Sequence, residues 1–418
     1  MILKLARKSL WNRRGTAILT LVSLAISVAL ILGINHLRHQ AKQSFTSTIS
    51  GTDLIVGARS GQANLLLYSV FRIGNATNNI SWKSYEAIKK SRDIEWTIPL
   101  SLGDSHRGFR VLGTDQNYFD HYRYGDRRAL AFSAGGPFGS IYETVLGAQV
   151  ARELGYTIGE EIVIAHGLGD VSFSMHDDKP FTVVGILEPT GTPVDRTLHV
   201  KLEGIEAIHL GWQHGARMPG RGVSAEEALQ RELEPEAITA FLVGLKSRMA
   251  TFRLQRAINE YRKEALTAIL PGVALAELWD VLGMVENMLI VVAFLVLLAT
   301  LVGMTTTLLS SMKERQRELA ILRAVGAHAG YLFALIEIEA LLLAAAGVAF
   351  GILLLSLSLF MLQPWLAAEY GLFISANPLN SESLLITAGV MLLAALLSLI
   401  PAMVAYRRAL ADGLSVRL

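Results

Sequence analysis

Residues 4–35 read KLARKSLWNRRGTAILTLVSLAISVALILGIN: five cations with no acid among them, then an uncharged run from Thr16 to Asn35. A helix crossing a bilayer needs roughly 20 mostly apolar residues, because hydrocarbon offers its backbone groups no partner outside the helix. The run meets that length. A charged flank before an apolar stretch also describes a cleaved signal peptide. This one is long for such a core, and no small-residue cleavage site follows before His36, Arg38 and His39. It reads as an uncleaved anchor over residues 15–37, behind a cytoplasmic segment 1–14.

No comparable run recurs until Met284. The second span, 282–311, contains VENMLIVVAFLVLLATLVGMTTTLLSS, with Glu286 and Asn287 only near its start. The third, 331–362, is apolar except for Glu337 and Glu339, and the fourth, 384–406, is uncharged through Leu384–Tyr406. The chain is 52% hydrophobic and 18% charged, whereas soluble domains carry about a quarter charged residues. Its net charge of +2 gives no argument for a nucleic-acid partner. It has no cysteine, which excludes disulfides and thiolate metal sites.

Orientation follows from Lys and Arg in short flanks and loops, which stay cytoplasmic. The N-terminal flank is basic. The 312–330 segment carries Lys313, Arg315, Arg317 and Arg323, and the tail 407–418 carries Arg407, Arg408 and Arg417. The short loop 363–383 has neither Lys nor Arg. Both termini are therefore expected in the cytoplasm, with 38–281 facing outward; in a bacterium that outside is the periplasm. The fold class is a four-helix membrane protein with a large α+β extracytoplasmic domain between helices 1 and 2.

Within that domain, β-branched and alternating segments predict strands at 53–58, 109–113, 161–165, 181–187, 197–202 and 238–246. Helices are predicted at 82–90, 143–154, 200–211 and 224–232. A charged amphipathic helix over 248–266 either runs into the second span as a stalk or packs separately on the domain.

The sharpest segment is KERQRELAILRAVGA, Lys313–Ala327. Leu319, Leu322 and Val325, with Ile321 beside them, fall at helical spacing, while Lys313, Glu314, Arg315, Arg317, Glu318 and Arg323 cover the other faces. Gly326 stands where a helix C-cap belongs. Such a helix either lies on the lipid surface or docks into a partner's groove. The pattern E-R-x-R-E-x-A-I-L-R-A-V-G-A resembles the cytoplasmic segment of ABC permeases of the MacB, LolC/LolE and FtsX type. Glu339 followed by Gly347 and Gly351, and Pro401-Ala402 with Ala405, Arg407 and Arg408, are similar to the same family's third and fourth helices. The family's later proline is Ala409 here.

The resemblance implies a permease subunit whose 313–326 residues contain the coupling helix for a separate ATPase. Two ATPase subunits and a second permease copy or paralogue would complete the assembly, with a periplasmic adaptor or substrate-binding protein possible beyond membrane lipid. ATP-driven closure would be transmitted through the long first and second helices to the outward domain, as mechanotransmission. The work would be export or extraction of a lipid-anchored substrate. ATP and Mg would be bound by the partner: this chain carries no G-x-x-x-x-G-K-[ST] loop, and neither cofactor nor catalytic residue is assigned to it. An FtsX-like regulator of a periplasmic partner is the alternative.

Other residues keep open readings. An acid within a span is a functional hypothesis by default, yet Glu337 and Glu339 point about 200° apart on a helix and lie near an interface where snorkelling is cheap. Gly347 and Gly351 permit close helix approach, and packing within the protein is the favoured use. His176, Asp177 and Asp178 form a compact donor set that suits zinc but reads equally as a solvated turn. A periplasmic metal-handling module is the third function class.

Overall fold

Each of the four apolar runs is helical, and each helix outlasts the run that specified it. In the computed structural model the spanning helices are Arg14–Thr48, Pro271–Glu314, Ala329–Tyr370 and Ser381–Ala411. The structure describes residues 2–166, 178–210, 212–213, 216–217, 223–231, 233–314, 316–370 and 375–411. The overshoot has a local cause. Hydropathy marks only the lipid-crossing part of a helix, and the residues after Asn35 include no glycine or proline until Gly51. The second helix starts at Pro271, a residue preorganised for the first helical turn. The expected loop 363–383 shortens accordingly, because the third helix continues to Tyr370.

The chain divides into two compact units, one holding 1–41, 282–364 and the fourth spanning helix, the other centred on 42–281. The membrane unit keeps much of its apolar surface outward: Leu19, Met284, Leu353 and Leu385 are exposed, as lipid-facing residues must be. It also contains a short helix, Ile2–Asn12, where the sequence suggested only a basic flank.

The outward unit is built on one mixed sheet. Its main strands are β1 (Leu54–Ala58), β2 (Ile94–His106), β3 (Phe109–Thr114), β4 (Phe132–Gly135), β5 (Glu143–Leu146), β6 (Phe181–Leu187), β7 (Thr197–Lys201), β8 (Ala240–Leu245) and β9 (Leu266–Ile269). They lie in the order β9-β1-β8-β2-β3-β7-β5-β6-β4. The β3/β7 and β5/β6 pairs are parallel, and the other neighbours are antiparallel.

Strand β1 is buried along its whole length because both faces of the sheet are covered. Ile55 joins a cluster with Ile98, Leu100, Leu242 and Tyr118. Leu54 and Val56 point the other way, to Tyr85, Phe241, Leu254 and Ile258. A strand buried on both faces reads as a continuous apolar run rather than an alternation.

Three predicted elements are revised here. The predicted helix over 143–154 is strand β5 followed by helix Ala148–Leu154. Thr144, Val145 and Leu146 are buried in the sheet, and the chain turns at Gly147, where a Cβ would lie 2.2 Å from the Val194 carbonyl oxygen. The predicted helix over 248–266 is a 3-10 turn, Arg248–Ala250, then a helix Thr251–Asn259 packed through Leu254 and Ile258. Strand β9 intervenes before the second spanning helix, so of the two readings of 248–266 the separately packed helix holds, over a shorter range, and the stalk does not. The 161–165 strand is two fragments, Glu161–Ile162 and Ala165–His166.

The second spanning helix takes over the connecting role. Its first turns belong to the outward core: Ala274 and Leu275 are buried members of the Ile55 cluster, with Leu278 and Trp279 packed against it. The end of the first spanning helix reaches the same cluster. There the Tyr122 hydroxyl donates to the Thr48 carbonyl at 2.6 Å, and Ile49 packs alongside.

Candidate functional site

The segment between the second and third spans is helical on both sides of Arg315. Lys313 and Glu314 belong to the second spanning helix, described as Pro271–Glu314. Gln316–Ala324 is also helical. Arg315 lies outside the described residues, as do the side chains of Arg317 and Leu319. Of the expected apolar stripe, Leu322 is half-buried with Arg323 beside it, while Ile321 is 65% and Val325 84% exposed. Glu318 is also exposed.

Gly326 ends this helix with φ +102°, a conformation that costs glycine little and other residues much. The Ala327 N–H donates to the Leu322 carbonyl at 3.0 Å and the Gly326 N–H to the Arg323 carbonyl at 2.9 Å. This pair of bonds is a Schellman cap. The result is a capped helix end presenting two large apolar side chains, Ile321 and Val325, to its surroundings.

Inside the membrane unit the two acids of the third helix part company. Glu339 is buried, 4.0 Å from the Arg13 guanidinium. Together they line a small cavity with Thr16, Thr20, Thr307 and Ser311. Glu337 turns instead to the fourth helix, where its carboxylate accepts from the Ser398 hydroxyl at 2.9 Å. They are two separate contacts, not one carboxylate site.

Gly347 and Gly351 pack against the first spanning helix. A Cβ at Gly347 would meet Leu24 at 2.6 Å, and one at Gly351 the Ala25 carbonyl oxygen at 2.8 Å. The first helix also bonds to the second: the Ser27 and Thr300 hydroxyls lie 2.8 Å apart, and Arg38 pairs with Glu286 at 3.0 Å. Arg13 and Ser27 were missed in the sequence; the spacing of Thr16, Thr20, Ser23 and Ser27 along one helix face is the signal that marks them.

The metal candidates do not assemble. His176 and Asp177 lie outside the described residues, and among the described residues no three His, Cys, Asp or Glu side chains form a cluster able to hold a metal, Asp178 included. Two outward histidines are structural. His106 Nδ1 donates to the Val163 carbonyl at 2.6 Å, and burial holds its pKa below the ordinary value. Its neutral Nε2 therefore accepts from the Tyr156 hydroxyl at 2.9 Å. His199 is fully buried against Tyr118 and Phe119. Burial, with the Arg72 cation, pushes its pKa down to about 3.

Comparison with known proteins agrees with this architecture. The family model for the MacB-like periplasmic core domain matches residues 17–260, and that for the FtsX-like permease C-terminal matches residues 290–410. Among solved structures, the chain is similar to the periplasmic region of MacB from Actinobacillus actinomycetemcomitans, at 12% identity over 55% of this chain and 94% of that one, TM-score 0.34. It is also similar to the extracellular domain of the noncanonic ABC-type transporter YknZ from Gram-positive bacteria, at 12% identity over 52% and 99%, TM-score 0.31. No curated protein matches the chain. Four spanning helices with one large domain between the first two, under both family models, define an ABC transporter permease. The chain belongs to the MacB/FtsX-type permease family, and its large domain is the periplasmic one.

Proposed function

We propose that the chain sits in the bacterial inner membrane with both termini cytoplasmic and couples ATP hydrolysis by a separate ATPase to movement of its periplasmic domain. Two ATPase subunits, which bind ATP and Mg, and a second permease copy or paralogue complete the working unit. The work is export or extraction of a lipid-anchored substrate, with a periplasmic adaptor or binding protein receiving or presenting it.

The observation that carries this reading is the second spanning helix. It is unbroken over 44 residues, about 66 Å at 1.5 Å per residue. One end stands beside the capped Gln316–Ala324 helix in the chain; the other is part of the periplasmic core at Leu275 and Trp279. A rod fixed in a packed core moves that core when pushed, because close-packed interiors transmit displacement rather than absorb it. Exposed Ile321 and Val325 supply the apolar anchors that a docking groove takes up.

The test is co-purification of the full chain with its ATPase, then ATPase activity in nanodiscs. Ile321→Asp with Val325→Asp is expected to abolish co-purification. Undiminished capture of the ATPase would refute the docking role. Trp279→Ala is expected to keep the ATPase bound while weakening the periplasmic response to ATP.

A further inference from the structure

The helix Ile2–Asn12 has no part in the reading above. It packs through buried Ala6 and Ser9, with Ile2, Leu5 and Leu10 half-buried beside them. Around the helix, at 3.6 residues per turn, the opposite side runs Leu3, Arg7, Trp11, Lys4, Lys8. All five are exposed, Trp11 by 75% and Leu3 by 60%. Three cations and two large apolar side chains thus share one face. No acid on this segment neutralises them, since the first in the sequence is Asp53.

Such a face is poorly matched to water and well matched to the headgroup layer, where tryptophan sits at the boundary and cations meet phosphate. Chain continuity favours the bilayer over a protein groove. Within two turns of Trp11 the chain enters the first spanning helix, whose exposed Ile18, Leu19, Val22 and Ile26 face hydrocarbon. We propose that this helix is a binding site for anionic phospholipid, with Lys4, Arg7 and Lys8 on phosphate and with Leu3 and Trp11 seated in the interface. The site gives the membrane unit a fixed reference in the lipid surface at the point where its first span begins.

The test is hydrogen exchange at the amides of residues 3–12, with the full chain in nanodiscs of phosphatidylcholine alone or with a third phosphatidylglycerol. A cation near an anionic surface contributes about fivefold in affinity, so the three together reach on the order of a hundredfold. Exchange is expected to slow by about tenfold or more when phosphatidylglycerol is present. The effect should shrink with added salt and disappear in the K4Q/R7Q/K8Q variant. Trp11→Ser should speed exchange in both bilayers. All four side chains are exposed, so the substitutions leave the packed face intact. Equal exchange in the two bilayers would overturn the proposal. So would protection that appears only when the ATPase subunit is added, which would make the face a protein contact.

Discussion

Gly351 lies where a methyl group has no room. A Cβ there would come within 2.8 Å of the Ala25 carbonyl oxygen and 2.9 Å of Val28 Cβ on the first spanning helix. Carbon contacts settle at about 3.5–4.0 Å, so Gly351→Ala forces the two helices apart by roughly 0.6–1 Å. The obstacle nearest the new methyl is backbone, which cannot rotate out of the way. Overpacking costs about 1–3 kcal/mol, and alanine's better helix propensity offsets about 1 kcal/mol of that. A net loss of up to about 2 kcal/mol lowers Tm by up to about 8 °C. Gly389 in the fourth helix is the control, since a Cβ there meets nothing within 4 Å; Gly389→Ala should stabilise by up to about 1 kcal/mol. The chain has no cysteine, so Ala344→Cys, at a fully buried position of the third helix, reports opening of the bundle by thiol labelling on heating in nanodiscs. If Gly351→Ala proves as stable as Gly389→Ala, the seam between the first and third helices is not close-packed and the reasoning fails.

Three further outcomes are expected. In a double-mutant cycle of Arg13→Gln and Glu339→Gln, unfolding in nanodiscs should give a coupling of about 0.5–3 kcal/mol, and independent effects would show that the pair does not act together. His199 folds with its pKa pushed down to about 3, far below the unfolded value of about 6.5. The stability of its neutral form is therefore complete above about pH 6.5 and is lost as pH falls towards 3, at about 1.4 kcal/mol per pH unit; denaturant titrations of His199→Phe should show a flatter acid limb. Asp115 has the opposite sign, because burial raises its pKa from 3.8 to about 7. Its contribution is favourable in acid and lost as pH rises through 7, so Asp115→Asn should gain over the parent at pH 8 and not at pH 4; an equal gain at both would discard that assignment.

The four spans were legible because hydrocarbon imposes one length and one composition, whatever the fold around it. Gly326 was legible for a similar reason, since its φ of +102° suits few other residues. Where helices end beyond the lipid was hidden, because hydropathy registers the solvent and not the hydrogen-bond ladder. Strand β2 carries Pro99 and Gly103, both poor strand residues. It holds its place through pairing with β8 and β3, which no local reading contains. The segment 143–154 carried a helical pattern that the sheet overrode by burying Thr144, Val145 and Leu146. Glu339 stood out as an acid in a span, but its partner Arg13 lies on another helix and only the packed bundle brings them together.

The second spanning helix also constrains how the protein is made. Ala274, Leu275, Leu278 and Trp279 belong to the periplasmic core, yet they are translated after every strand of the sheet and directly before a membrane segment. A chain translocated only as far as Ile269 has all its strands and an unfilled gap in the cluster around Ile55. A secreted fragment ending before Trp279 would therefore lack part of its own interior.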